Sequence, residues 1–146
     1  MRFMMLMIPR VYQPEAKQNG TALEGPPPAD MVEKMMKYND ELQKAGAIIA
    51  LDGLHPLSSG ARVSFKSGRP TVVDGPFAEA KEVLGGYWMI QVKSKEEAVE
   101  WARRVPAQDG DVIELRQVQE MTDFPEDVQE IVAKSETAKA HGQYKG

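Results

Sequence analysis

Apolar residues fill every position from Phe3 to Ile8, which suits a central strand covered on both faces, and Pro9 ends the run. Ala47 to Leu51 is a second apolar strand, closing at Asp52 and Gly53. Between them Met31, Met35, Tyr38, Leu42 and Ala45 recur at steps of three and four, an apolar stripe along one side of a helix. Asp30 with Glu33 three residues on predicts its capped start, and Gly46 its left-handed stop. The plan repeats further on. Tyr87 to Val92 reads as a strand, Ser94 with Glu97 repeats the capping signature, and Ala98, Trp101, Ala102 and Val105 share one face of a helix that Pro106 stops. Val112, Glu114, Arg116 and Val118 then alternate with Ile113, Leu115 and Gln117, so one face of the last strand is expected to be wet.

Turn residues place the remaining pieces. Ala61 to Phe65 alternates, Ser67 and Gly68 turn the chain, and Pro70 to Val73 returns as a hairpin. Val11 to Pro28 carries Pro14, Asn19, Gly20, Gly25 and three consecutive prolines, which predicts a long loop with an extended stretch, either a lid or simply mobile. After Pro125, Val128, Ile131 and Val132 predict a short third helix, and the polar segment Ser135 to Gly146 is expected to fray.

Without the hairpin the order is strand, helix, strand, strand, helix, strand, that of the ferredoxin-like α+β sandwich. Both long helices then cover one face of an antiparallel sheet. The other face keeps apolar residues from the first strand and from Tyr87 or Trp88, with no third long helix to cover them. A homodimer burying sheet against sheet is the expected solution, with the C-terminal helix as an alternative cover. The expected division is a domain over 1–120 and a short helix with a flexible tail over 121–146.

Composition narrows the chemistry. A chain of 146 residues supports a single core without staples, and the absence of Cys removes disulfides, thiolate metal sites and a Cys nucleophile. With only His55 and His141, a metal centre would need carboxylates for most of its ligands, so neither metal nor cofactor is expected. The 18 basic residues are scattered among 22 acidic ones for a net charge of -4, which disfavours direct nucleic-acid binding. No run approaches a membrane span, and the apolar start is too short for a signal peptide, so a soluble, cytoplasmic protein without membrane partners is expected.

Candidate chemistry gathers in and around Asp74–Trp88, DGPFAEAKEVLGGYW, where special-backbone and ionisable residues are dense. His55, held extended by Pro56, moves protons at neutral pH if Asp52 or Asp74 lies in reach, and otherwise caps a loop. Asp74 acts as acid or base at a cleft mouth, or accepts amide hydrogen bonds within its own turn. Of Glu79, Lys81 and Glu82 at most two point into a pocket, Glu79 as a base and Lys81 holding an anionic group; the plainer reading is a solvated, internally paired turn. Gly85 and Gly86 suit close backbone contact, since no helix start follows them to bind phosphate. Tyr87 and Trp88 alternate across the sheet, one under a helix and one on the open face.

At DGPFAEAKEVLGGYWMIQV, with GLHP before it and EEAVEWARRVP after it, the sequence resembles the DGPF branch of the YCII-related proteins over about Arg2 to Glu120. The resemblance implies a ferredoxin-like subunit that dimerises into an α/β barrel with a cleft. Some relatives are encoded beside, or fused to, extracytoplasmic-function sigma factors. The wider family is similar to dimeric lactone isomerases and is associated with a His and Asp pair whose His lies early in the first helix. Here Asp30 to Ala45 contains no His, so that pair is not carried over. The functional expectation is a small-molecule cleft at the dimer on which His55, Asp74, Glu79, Lys81 and Tyr87 converge. His55, Asp74 and Glu79 would transfer protons, while Lys81 and Tyr87 hold a small carbonyl or lactone compound. The alternative is a non-catalytic regulatory protein associated with a sigma factor.

Overall fold

A computed structural model of the chain describes residues 1–18, 20, 25–75 and 82–141. In chain order the elements are β1 (Arg2–Ile8), α1 (Pro14–Gln18), α2 (Ala29–Lys44), β2 (Ile48–Gly53), β3 (Ala61–Lys66), β4 (Arg69–Asp74), β5 (Gly86–Gln91), α3 (Lys95–Arg103), β6 (Val112–Gln117), α4 (Glu126–Ala133) and α5 (Glu136–His141). They fall into two units, Met1–Arg116 and Gln117–Gly146.

Four strands form one sheet in the order β2-β5-β1-β6, while β3 and β4 form a separate two-stranded sheet among the described residues. This is the ferredoxin-like order, with β5 running antiparallel to both β1 and β2 and the hairpin inserted between β2 and β5. β1, apolar from Phe3 to Ile8, lies inside the sheet, as its pattern predicts. Among the described residues the sheet closes no barrel, because β2 and β6 are its edges.

Cross-strand partners share a face, so the pairs Phe3 with Ile90 and Met5 with Trp88 point to one side. There they pack with Tyr38 and Leu42 of α2 and Ala98 and Trp101 of α3 in the core. The Trp88 indole donates to Asn39 Oδ1 at 2.8 Å, and the Tyr38 hydroxyl donates to the Trp101 carbonyl at 2.8 Å. Tyr38 meets Trp88 edge-on, with ring centres 6.0 Å apart. Arg104 lies 4.3 Å over the Trp101 ring and pairs with Glu41, fastening α2 to the end of α3. Burial pushes the Tyr38 phenol well up, against the pull of nearby Arg104, so it stays a donor to Trp101 throughout the neutral range.

Arg2, Met4 and Leu6 pair with Gln91, Met89 and Tyr87 on the opposite side. In β2 the register steps over one residue between Ile48 and Ala50, so Ile48 shares the helix side while Ala50 and Asp52 lie with Met89 and Tyr87. This bulge is not legible in a run of apolar residues without glycine.

Three local expectations need correction. Asp30 is not the cap of α2: the helix begins one residue earlier, behind Pro28, whose carbonyl accepts from Met31 and Val32, and Asp30 sits in the first turn, where a carboxylate favours the positive helix end. The 11–28 stretch is not loop throughout. A 3-10 turn spans Arg10–Tyr12, and α1 opens on Pro14, which fits a helix start because its missing amide is unneeded there. The tail expected to fray holds α5, with Ala138 buried. The segment 142–146 lies outside the described residues. Ser94, by contrast, caps α3 as expected, accepting from the Glu97 amide at 3.2 Å.

Candidate functional site

At the end of β2 the chain is pinned to the start of β5. The Leu54 amide donates to the Gly85 carbonyl at 2.9 Å, and the Gly85 amide to the Met7 carbonyl at 2.8 Å. A Cβ on Gly85 would lie 2.6 Å from Pro9 Cγ, and one on Gly86 would lie 2.9 Å from the Asp52 carbonyl oxygen. The glycine pair therefore serves close packing, as its surroundings in the sequence suggest. Gln13 completes the anchorage by imitating a peptide group: its Nε2 donates to the Val83 carbonyl at 2.9 Å and its Oε1 accepts from the Val83 amide at 2.8 Å. Val83 is buried, and the preceding Glu82 takes a left-handed φ of 51°, which turns it outward.

The other wall rises from the residues after Leu54. His55 is followed by Pro56 and a 3-10 turn, Leu57–Ser59, that leads into β3. The turn is held to the base of the hairpin where the Gly75 amide donates to the Gly60 carbonyl at 2.8 Å. No side chain fits at Gly75, because a Cβ there would lie 1.8 Å from the Leu57 carbonyl oxygen. This contact explains the glycine after Asp74.

Between the walls lies an open cleft of about 490 Å³ whose lining includes Leu54, His55, Leu57, Arg62, Glu82 and Leu84. Among the described residues its lining is largely apolar and carries the imidazole of His55, the guanidinium of Arg62, the carboxylate of Glu82 and the hydroxyl of Ser59. Arg62, which already has an interaction within the chain, brings a planar guanidinium of the kind that suits a carboxylate or phosphate, and the leucines offer contact to a short carbon skeleton. His55 is exposed and supplies a proton donor or acceptor. Among the described residues no three acidic or imidazole side chains cluster to hold a metal ion, and no helix is long and apolar enough to cross a membrane.

Of the residues singled out in the sequence, His55 lines this cleft and Asp74 and Tyr87 are not among its lining residues. Asp74 pairs with Ala61 at the base of the hairpin and is exposed; among the described residues nothing donates to its carboxylate. Tyr87 lies across from Asp52 on the sheet side away from the helices, and its hydroxyl donates to Asp52 Oδ2 at 2.8 Å. Asp52 is thereby engaged by the phenol, and among the described residues no hydrogen bond joins it to His55. Glu79 and Lys81 lie outside the described residues. Arg62 was not foreseen, since one cation in an alternating exposed hairpin carries no signal of its own. Glu82 was weighed with Glu79 and Lys81 as one of at most two residues facing a pocket but given no role of its own, because a positive φ at a non-glycine residue is invisible in a sequence.

The hydrogen bond to Asp52 raises the Tyr87 pKa above its ordinary value by favouring the protonated phenol. What the pair adds to stability is therefore complete below the unfolded phenol's pKa and is lost as pH rises through the folded value. Ring-carbon NMR of Tyr87 is expected to give a midpoint above that of a free tyrosine, and Asp52→Asn to bring it back down. An unchanged midpoint would refute the assignment.

Comparison with known proteins adds two findings. The profile of the YCII-related domain matches residues 1–122. An uncharacterized protein of Rhizobium meliloti (strain 1021) is 35% identical over 75 residues, an alignment that covers 49% of this chain and 60% of that protein. The chain thus spans less than two thirds of this relative.

Proposed function

This chain belongs to the YCII-related family, and on that premise we propose that it binds a small organic acid, or a carbonyl or lactone compound with an acidic group, in the cleft beside His55. The supporting observation is the meeting of His55, Arg62 and Glu82 on a largely apolar concave surface. In this reading Arg62 holds the anionic group, Leu54, Leu57 and Leu84 pack on the skeleton, and His55 donates or removes a proton at the reacting carbon or oxygen. Asp74, Glu79, Lys81 and Tyr87 are proposed as further contributors from the flanking segment and sheet. Two chains associate through the sheet side bearing Met4, Leu6 and Met89, for which apolar character without a covering long helix is the argument. Among the described residues no observation favours the sigma-factor alternative.

Succinate and γ-butyrolactone serve as probes in a thermal-shift series, since a ligand that binds the native state raises the melting temperature by mass action. Succinate is expected to stabilise the wild type, and Arg62→Ala to weaken its binding about tenfold to a hundredfold, the scale of a lost charged hydrogen bond. His55→Gln should leave succinate affinity within a few-fold while abolishing any lactone turnover. Equal succinate affinity in the wild type and Arg62→Ala would defeat the proposal.

A further inference from the structure

The hairpin of β3 and β4 stands apart from the main sheet, and all twelve of its residues are exposed. Two strands alone are marginal in water, and persistence normally requires a third strand or a packed surface. One side carries the pairs Val63 with Val72 and Phe65 with Pro70, and it leaves Phe65 76% and Val72 66% exposed. At the tip Lys66 lies directly opposite Arg69, a like-charged pair that weakens the ribbon. Among the described residues no carboxylate pairs with either. Residues 61–73 contain three cations and no carboxylate. The hairpin therefore asks for a surface that is both apolar and acidic.

The same chain carries such a surface. Residues 117–133 contain five carboxylates and no cation. Within them α4 buries none of its residues and leaves Ile131 69% exposed. Asp127 stands four residues before Ile131, and Glu126 four before Glu130, so the apolar side chain rises among carboxylates on the helix surface.

We propose that the β3–β4 hairpin of one copy docks on α4 of a second copy, Phe65 and Val72 against Ile131, with Lys66 and Arg69 reaching Glu126, Asp127 and Glu130. The two tip cations flank the turn at the free end of a ribbon only two strands wide. Their long stems can therefore fold round its edge toward the side that Phe65 covers. Charge and apolar complementarity select α4 as the occupant, and a contact within one chain is an outcome that the crosslinking below tests. A nucleic acid would meet the cations but not the apolar side, and a net charge of -4 repels it from the rest of the chain. The contact is independent of the cleft reading.

Two charge-reversed proteins test it, one with Lys66→Glu and Arg69→Glu and the other with Glu126→Lys and Glu130→Lys. By sedimentation equilibrium at low salt each alone should self-associate at least tenfold more weakly than the wild type. Their equal mixture, in which every hairpin meets an oppositely charged helix, should recover wild-type affinity. On unmodified protein, zero-length carbodiimide crosslinking of mixed isotopically light and heavy chains should join Lys66 to an α4 carboxylate across the two isotopes. This arm needs no variant to fold. Crosslinks confined to one isotope would overturn the proposal by placing the contact within a chain. A dimer that persists under both reversals and yields no such crosslink overturns it too, while leaving association through the sheet side standing. Binding of duplex DNA by the wild type in preference to self-association, lost in Lys66→Glu with Arg69→Glu, would assign the hairpin to nucleic acid instead.

Discussion

Trp88→Ala is expected to lower unfolding stability by about 4 kcal/mol, in the upper part of the range for single core truncations. Three losses combine. The indole is 5% exposed, so nearly all of its surface leaves water on folding. From β5 it packs against α2, edge-on to Tyr38 at 6.0 Å. Its ring nitrogen also holds Asn39 at 2.8 Å, and truncation leaves that amide oxygen without its donor. Given that small domains hold together by only about 5–15 kcal/mol, the variant should stand near the threshold of folding. Urea titration should show a lower midpoint with an unchanged slope, and Trp88→Phe should recover roughly half of the loss because the ring volume is largely kept. A loss below about 1 kcal/mol would mean that the core closes over the gap.

Gly75→Ala is expected to cost about 2–3 kcal/mol, the scale of forced overpacking. Here the clash is with main chain: the added carbon would lie 1.8 Å from the Leu57 carbonyl oxygen and 2.8 Å from its carbon. No side chain can swing away to relieve it, so the turn must open and the hydrogen bond from the Gly75 amide to Gly60 must lengthen or break. The damage should be concentrated at the hairpin base and the cleft wall. Hydrogen exchange should quicken at Gly75 and in β3 and β4 more than in β1 or β5. Gly53→Ala is the control, because a Cβ there meets nothing within 4 Å, and it should change stability by less than about 0.5 kcal/mol. Equal effects of the two substitutions would remove the steric explanation.

The main elements were readable because their physics is local. A stripe at steps of three and four has few alternatives to a helix, and Ser94 announces its cap with a side chain. The sheet order followed from element order once the hairpin was set aside. What escaped was set by partners distant in sequence or by backbone geometry that side chains do not encode. The step in β2 between Ile48 and Ala50 depends on β5, not on β2 composition. Gln13 looks like an ordinary loop residue until Val83 is brought beside it, seventy positions on. The early start of α2 turns on a proline carbonyl rather than on Asp30. In the cleft, His55 was legible from its place at a strand end, whereas Arg62 becomes significant only when the hairpin base folds against the turn after Pro56.

Arg62 and Lys66 belong to the same six-residue strand, one lining the cleft and the other at the hairpin tip. A molecule gripping the first and a surface gripping the second would pull on a single short rod. Whatever factor self-association imposes on ligand affinity, ligand must impose on self-association, since the two equilibria close one thermodynamic cycle. Metabolite level and assembly state would then report on each other, with β3 as the lever between them.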